Sequence, residues 1–318
     1  MPSAAKPQQA PRTIDALWMV LGAFLFATMG VCVKFASATF NAFELVAYRG
    51  LFGVVFLLIL ARWRGVSLRT QVPGMHAWRS VVGVISVLAW FYAIGLLPLA
   101  TAMTLNYMSS IWVGTFVLAG LLLMTPSSHQ SPAQARQSAW RQGPLFATIV
   151  LGFAGVAMVL QPVFAEQQAM GGLAGLGSGL FAALAYLQVA ALARVGEPET
   201  RTVFYFSLGA LVTGFVGMIF TGASSLWQPD ALWLIPMGLL AVLGQLCMTR
   251  AYASGATLVV ANLQYFAIVF AALYSMWVFN DQLGIWGWGG MALITLSGIA
   301  ATILRQRTVS PLPPEEHA

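Results

Sequence analysis

Apolar stretches of about 20 residues recur along the chain between short polar connections, and each is long enough as a helix to cross hydrocarbon about 30 Å thick. They run at about 15–36, 42–62, 77–96, 100–124 and 143–164, then at about 171–193, 202–222, 231–252, 256–279 and 284–304. The longest connection, 125–142, is polar and contains Pro and Ser; it divides the ten spans into two sets of five. The first span follows a polar stretch of about 14 residues. It is too long for a signal-peptide core and has no clear cleavage site after it, so it is read as retained.

The basic residues sort by connection. Lys6 and Arg12 precede the first span, and Arg62, Arg64, Arg69 and Arg79 fall to the connection between spans two and three. Arg136 and Arg141 lie between spans four and five, Arg194 and Arg201 between six and seven, Arg250 at the end of span eight, and Arg305 and Arg307 after span ten. The five connections on the opposite side carry none. Basic residues collect on the cytoplasmic side, so both termini are expected there. Trp18, Trp63, Trp233 and Trp286 near span ends are read as interface anchors.

Composition agrees with this pattern. Of 318 residues, 59% are hydrophobic and 8% are charged, against about 25% charged in soluble domains. The class is therefore an all-α integral membrane protein, and the net charge of +6 is a topology signal rather than a nucleic-acid patch. Cys32 and Cys247 lie far apart in apolar runs, without disulfide or metal spacing. His76, His129 and His317 are read into polar connections, so no metal or cofactor site is expected inside the membrane.

The two halves echo each other. Tyr92-Ala93-Ile94-Gly95 ends span three and Tyr252-Ala253-Ser254-Gly255 ends span eight; Ala-Thr follows each, at 100–101 and 256–257, and Asn106 and Asn262 stand at the same distance beyond. Five spans per half force the second copy into the membrane with opposite polarity, as in inverted-repeat transporters. The expected organisation is a segment 1–14, a first five-helix repeat 15–164 that includes the polar loop 125–142, a second repeat 171–304, and a tail 305–318.

Over about 15–305 the chain resembles the EamA-like ten-span branch of the drug/metabolite transporter superfamily. The likeness rests on ALWMVLGAFLFATMGVCVKFAS ending near Lys34, on ELVAYRGLFGVVFLLILAR with Arg49, and on FYAIGLLPLATAMTLNYMSSIW. It rests also on GQLCMTRAYASGATLVVANLQYFAIVFAALYSMWVFNDQ and the closing GIAATILRQ. Two departures stand out: Ser109-Ser110 where relatives often have a mid-span proline, and no acidic residue after span four, although span nine is followed by Asp281. The resemblance implies alternating access by a carrier in a bacterial inner membrane.

Arg49 lies about eight residues into span two, roughly 12 Å deep at 1.5 Å per residue. On this reading it is the one ionisable residue well inside a span. A charge there costs about 2.5–3.5 kcal/mol on insertion scales, so it is expected to face a watery cavity or a partner, with attraction of a substrate anion as its role. Asn106, Ser109 and Ser110 make an i, i+3, i+4 polar stripe on span four, beside Tyr107; Asn262, Gln264 and Tyr265 offer amide and hydroxyl groups on span nine. Tyr186 and Gln245 complete the candidate binding set. The competing role for such groups is bonding between helices, worth about 0.6 kcal/mol each. Gly171, Gly175, Gly179 and Ala183 on span six form a small-residue ridge, read as packing.

No buried carboxylate appears in any span, since Glu44, Glu166, Asp230 and Asp281 fall at span ends or outer loops; facilitated diffusion or exchange is expected over proton coupling. No GxxxxGK[ST] loop is present to bind ATP, and no HExxH, paired aspartates or intramembrane histidine supports an enzyme. The expected function is transport of a small polar or zwitterionic metabolite, an amino acid or derivative first. A larger planar or cationic cargo (riboflavin, S-adenosylmethionine or a nucleobase-like solute) or a passive channel stands as the alternative. The small-molecule substrate and the lipid bilayer are the partners, nucleic acid is not, and the sequence does not argue for or against a homodimer.

Overall fold

The computed structural model describes residues 17–124, 166–254, 263–282 and 284–308, with isolated positions between 147 and 158 and at 260. Its helices are α1 (Trp18–Ala36), α2 (Ala42–Arg64), α3 (Pro73–Leu96), α4 (Leu99–Tyr107), α5 (Ser109–Met124), α6 (Glu166–Arg194), α7 (Glu199–Thr221), α8 (Leu234–Ser254), α9 (Phe266–Trp277) and α10 (Ile285–Thr308). No strand occurs among the described residues. Six of these helices, α1, α2, α3, α6, α7 and α8, are long and apolar enough to cross a membrane. Span four is divided into α4 and α5, and span five, the polar loop 125–142 and both chain ends lie outside the described residues apart from those isolated positions.

Local chemistry sets the helix ends. Asn41 accepts from the Phe43 and Glu44 amides at 2.9 and 3.2 Å, while the Glu44 carboxylate accepts from the Asn41 amide at 2.8 Å, a reciprocal cap that starts α2. Gly65, at φ 64°, ends α2 in the left-handed conformation that glycine adopts without strain. Pro73 opens α3 at a position where no amide donor is needed. Lys34 of α1 donates to the Ile94 and Leu97 carbonyls at 2.9 and 2.7 Å and so closes the far end of α3.

Contacts between helix ends fall into two groups. At the Lys34 end, Thr39 donates to Asp230 at 2.6 Å, the Ser224 amide to Glu44 at 2.5 Å, and the Ala100 amide to Ser275 at 3.0 Å. At the opposite end Glu197 gathers Thr70 at 2.9 Å, Arg201 at 3.0 Å and His76 at 3.2 Å, and Arg250 lies over the Trp18 ring at 4.9 Å. This is the division of connections that the basic residues draw in the sequence. His76 is placed differently. It lies not in a connection but in the first turn of α3, buried against Glu197 and the Tyr205 ring.

The most extensive helix contacts join α2 to α7, α3 to α6 and α1 to α8, followed by α2–α8, α1–α9, α3–α7, α4–α6 and α4–α9. Taking α4 and α5 together as span four and α9 as span nine, a shift of five spans leaves this set unchanged: α3–α6 becomes α8–α1, α2–α8 becomes α7–α3, and α1–α9 becomes the contact of α6 with span four. Close approach along α2 and α7 depends on Gly50, which sits on the Leu211 and Ser207 backbone, and on Gly214, which sits on Ala47. Large apolar side chains such as Ile59, Leu173, Ile219 and Leu296 point away from the bundle, as a lipid-facing surface requires.

Both middle spans are interrupted. The helix turns at Met108 between α4 and α5, and again at Gln264 and Tyr265 just before α9. If Asn106 is matched to Asn262, Met108 falls on Gln264, so the interruptions occupy equivalent places. Neither contains proline. The glycine ridge of α6 covers the first one: a methyl group on Gly179 would stand 2.7 and 3.0 Å from the Leu105 and Asn106 carbonyl oxygens. Gly179→Ala is therefore expected to lower stability by about 1–3 kcal/mol in thermal melts, as overpacking against fixed backbone does. Gly177→Ala, which meets open space, is the control and should melt like wild type.

A second expectation concerns Glu197, in the connection between α6 and α7. Burial opposes its charge, but hydrogen bonds from Thr70, Arg201 and His76 outweigh it and hold the carboxyl below its ordinary value of 4.5. A depressed folded value stabilises the fold above about pH 4.5, and that contribution is lost as pH falls through the lowered value. Wild type should out-melt Glu197→Gln at neutral pH, with the gap closing under acid conditions; a gap independent of pH would contradict this.

Candidate functional site

Helices from both halves meet around a buried cavity. Its walls come from Phe26 of α1, Arg49 of α2, Arg79, Gly83, Ser86 and Trp90 of α3, Asn106 and Tyr107 at the end of α4, Tyr186 of α6, Phe206 of α7, and Gln245 and Met248 of α8. The space open to the centre of a water-sized sphere is about 40 Å³. A water needs about 10–15 Å³ on this measure, so the cavity as it stands admits a few waters and no metabolite.

Two arginines dominate its chemistry. Arg49 is 6% exposed and Arg79 3%. Both guanidinium groups lie on the Phe206 ring, their central carbons 4.9 and 4.2 Å from its centroid. Such contacts favour a cation by about 0.5–2 kcal/mol each, more where water is excluded. Arg49 also donates to the Gln245 side-chain oxygen at 3.3 Å. Nε of Arg49, and Nε and Nη1 of Arg79, have no hydrogen-bond partner. No carboxylate is among the described residues that line the cavity. The shared ring holds the two central carbons within ~9 Å of each other. Two like charges at that distance repel by about 2 kcal/mol at an effective dielectric of about 20, and by more if closer.

A polar chain runs behind the cavity between the two interruptions. Asn106 donates to Ser178 at 3.0 Å, and Ser178 in turn donates to the Gly175 carbonyl at 2.6 Å. Ser110 reaches the Gln264 oxygen at 3.5 Å, Gln264 donates to the Tyr252 hydroxyl at 2.7 Å, and the Tyr252 ring stacks on Tyr186 with centroids 5.4 Å apart. The α4–α5 and pre-α9 turns are thus joined through side chains that end at the cavity wall.

Residues 13–123 match the model of the EamA-like transporter family. The pseudopaline exporter of Pseudomonas aeruginosa is 32% identical to this chain over 84% of it and 88% of that protein. The chain belongs to the EamA-like transporter family. It is accordingly a multi-pass membrane transporter of the drug/metabolite superfamily and not an enzyme. The riboflavin transporter of Vibrio cholerae is 26% identical over 89% of this chain and 90% of that protein. A solved crystal structure superposes with a TM-score of 0.66 at 19% identity, covering 94% of this chain and 100% of that one, a likeness of fold alone.

In this EamA-like chain the cavity brings together Arg49, Asn106, Tyr107, Tyr186 and Gln245 of the residues singled out in the sequence. Ser110 and Gln264 stand behind it, while Ser109 and Tyr265 are buried without lining it. Asn262 lies outside the described residues. Two residues of the wall were not legible as such. Arg79 is not a connection residue: α3 begins at Pro73, which carries Arg79 inward and buries it, so Arg49 is not the one ionisable group inside a span. The start signal of Pro73 was the available clue. Phe206 had no signal, because its role depends on two arginines from other helices.

Gly83 makes room for Arg79. A methyl group there would collide with the Arg79 guanidinium and come within 2.8 Å of the Phe206 ring. The methyl group would displace the buried guanidinium and press on the buried Phe206 ring, so Gly83→Ala should lower stability by about 1–3 kcal/mol. Transport should also fall several-fold in liposomes in protein that still melts cooperatively, because Arg79 no longer reaches the cavity.

Proposed function

We propose that this chain is a secondary carrier that moves a small polar metabolite across a bacterial inner membrane, with amino-acid derivatives, which can carry more than one acidic group, as the first candidates. It works by alternating access between two inverted five-helix repeats, 15–164 and 171–304, with ten spans and both termini cytoplasmic. The observation that carries this reading is the cavity between the halves, with Arg49 and the amides of Asn106 and Gln245 in its wall beside the turn at Met108. Interrupted helices at the junction of inverted repeats are where such carriers place their substrates. The helix contacts that survive a shift of five support the repeat, and the basic residues support the orientation. Similarity to a pseudopaline exporter supports a metabolite cargo.

Glu44 is held in the cap of α2, and Asp281 accepts from Ser275 at 2.9 Å, both at the Lys34 end. Neither sits where a proton relay through the cavity would need it, which favours facilitated diffusion or exchange. A larger planar cargo is the second reading. It is favoured by the aromatic walls of Trp90, Tyr107, Tyr186 and Phe206 and by similarity to a riboflavin transporter.

Counterflow in proteoliposomes tests these readings together. Vesicles preloaded with one unlabelled solute at a time, from a panel of amino acids, their derivatives and riboflavin, should transiently accumulate the labelled form of the cargo. Arg49→Gln should reduce that accumulation at least about tenfold, the equivalent of 1.4 kcal/mol, in protein that still melts cooperatively. The wild-type rate should ignore an imposed pH gradient. Ion conductance without accumulation would assign a channel instead.

A further inference from the structure

The cavity holds more positive charge than a zwitterion can neutralise, and this fixes the class of its cargo. Arg49 and Arg79 are each more than nine-tenths buried, both face one cavity, and both keep N–H groups that no atom of the described residues accepts. A buried donor without an acceptor costs free energy, and a buried charge without a counter-charge costs more. Phe206 lies against both cations and carries no charge. Gln245 offers one neutral oxygen to Arg49 alone. Resting on the transport reading above, we propose that the cargo is a small organic anion of net charge −2, one acidic group meeting Arg49 and the other Arg79.

A net-neutral amino acid fits these walls poorly. Its carboxylate would satisfy one guanidinium and leave the other uncompensated, and its ammonium would add a third positive charge where no carboxylate of the described residues lines the cavity. A dianion supplies one acceptor pair per guanidinium, the planar two-point match that arginine makes with carboxylate. The two arginines come from α2 and α3 in the first half, whereas Phe206 and Gln245 come from α7 and α8 in the second. The anion therefore enters an opened form, and its recapture of both cations competes with the Arg49–Gln245 bond that spans the halves.

The test does not require the cargo to be identified first. The wild-type protein in detergent is melted with diacids from malonate to adipate, each beside its own monoamide, which keeps length and shape and removes one charge. At least one diacid is expected to raise the melting temperature at about tenfold lower concentration than its monoamide. That preference should vanish in Arg49→Gln and Arg79→Gln and persist, weakened, in Arg79→Lys. Equal action of every diacid and its monoamide overturns the proposal, as does a preference that survives Arg79→Gln. The wild-type comparison decides the matter even if a variant fails to fold. Counterflow then separates this proposal from the one beneath it. Accumulation of a neutral or zwitterionic solute that no diacid inhibits leaves the carrier standing and removes the dianion. Selective binding of a diacid without counterflow keeps the anion site and removes the carrier.

Discussion

A break in a membrane-spanning helix exposes carbonyl and amide groups that hydrocarbon cannot satisfy, so it survives only where other protein covers it. The turns at Met108 and at Gln264–Tyr265 are mild ones: the backbone stays right-handed helical at Met108 and Tyr265, and the Met108 and Gln264 amides still donate to the Thr104 and Val260 carbonyls at 3.2 Å, while neighbouring helices cover both turns. The glycines of α6 allow its backbone to lie directly on the carbonyls of Leu105 and Asn106. Ser110, Gln264 and Tyr252 pass hydrogen bonds from one turn to the other. The amide side chains beside these turns, Asn106 and Gln264, are buried at the centre of the bundle, and Asn106 lines the cavity.

The same burial makes the two arginines costly. In water their charges would be screened and their N–H groups hydrated; between packed helices both compensations are lost. The aromatic face of Phe206 recovers part of that cost, and Gly83 leaves the guanidinium of Arg79 the space to reach it. What remains uncompensated is interaction energy available to an anion, and a carrier gains from keeping it available. If a carboxylate of the protein neutralised both cations, it would compete with every acidic substrate for the same N–H groups.

Much of this arrangement was readable from residue order. The sorting of Arg and Lys into alternate connections divides the helix ends into two groups, and the Glu197 and Lys34 clusters lie at opposite ends of α3. The Asn106–Asn262 spacing offered an echo between the two halves, and depth along span two singled out Arg49. The turns themselves were hidden, because no proline announces them and Met108 is an ordinary helix residue in sequence. Arg79 was concealed by a boundary error of a few residues: counting span three from 77 puts it at a rim, whereas Pro73 starts the helix and carries it inside. Phe206 and Gly83 could not have been found, since their value lies in side chains that approach from other helices.

The two helix-end clusters differ in kind, and that difference bears on how the bundle can open. The Lys34 end is fastened by an ammonium on backbone carbonyls, by the Glu44 cap and by Ser275 bridging the Ala100 amide and Asp281. The other end is fastened at Glu197, one carboxylate shared by a guanidinium, an imidazole and a hydroxyl. Fastenings of this size are worth a few kcal/mol at most, comparable to the coupling that separates two states of a transporter. A cargo can shift such a balance only through contacts that are stronger in one state than in the other. The bond between Arg49 and Gln245 is such a contact, because it crosses between the halves and uses the N–H groups that a bound anion would claim. On the proposed reading, competition for those groups would link occupancy of the cavity to separation of the halves without any further device.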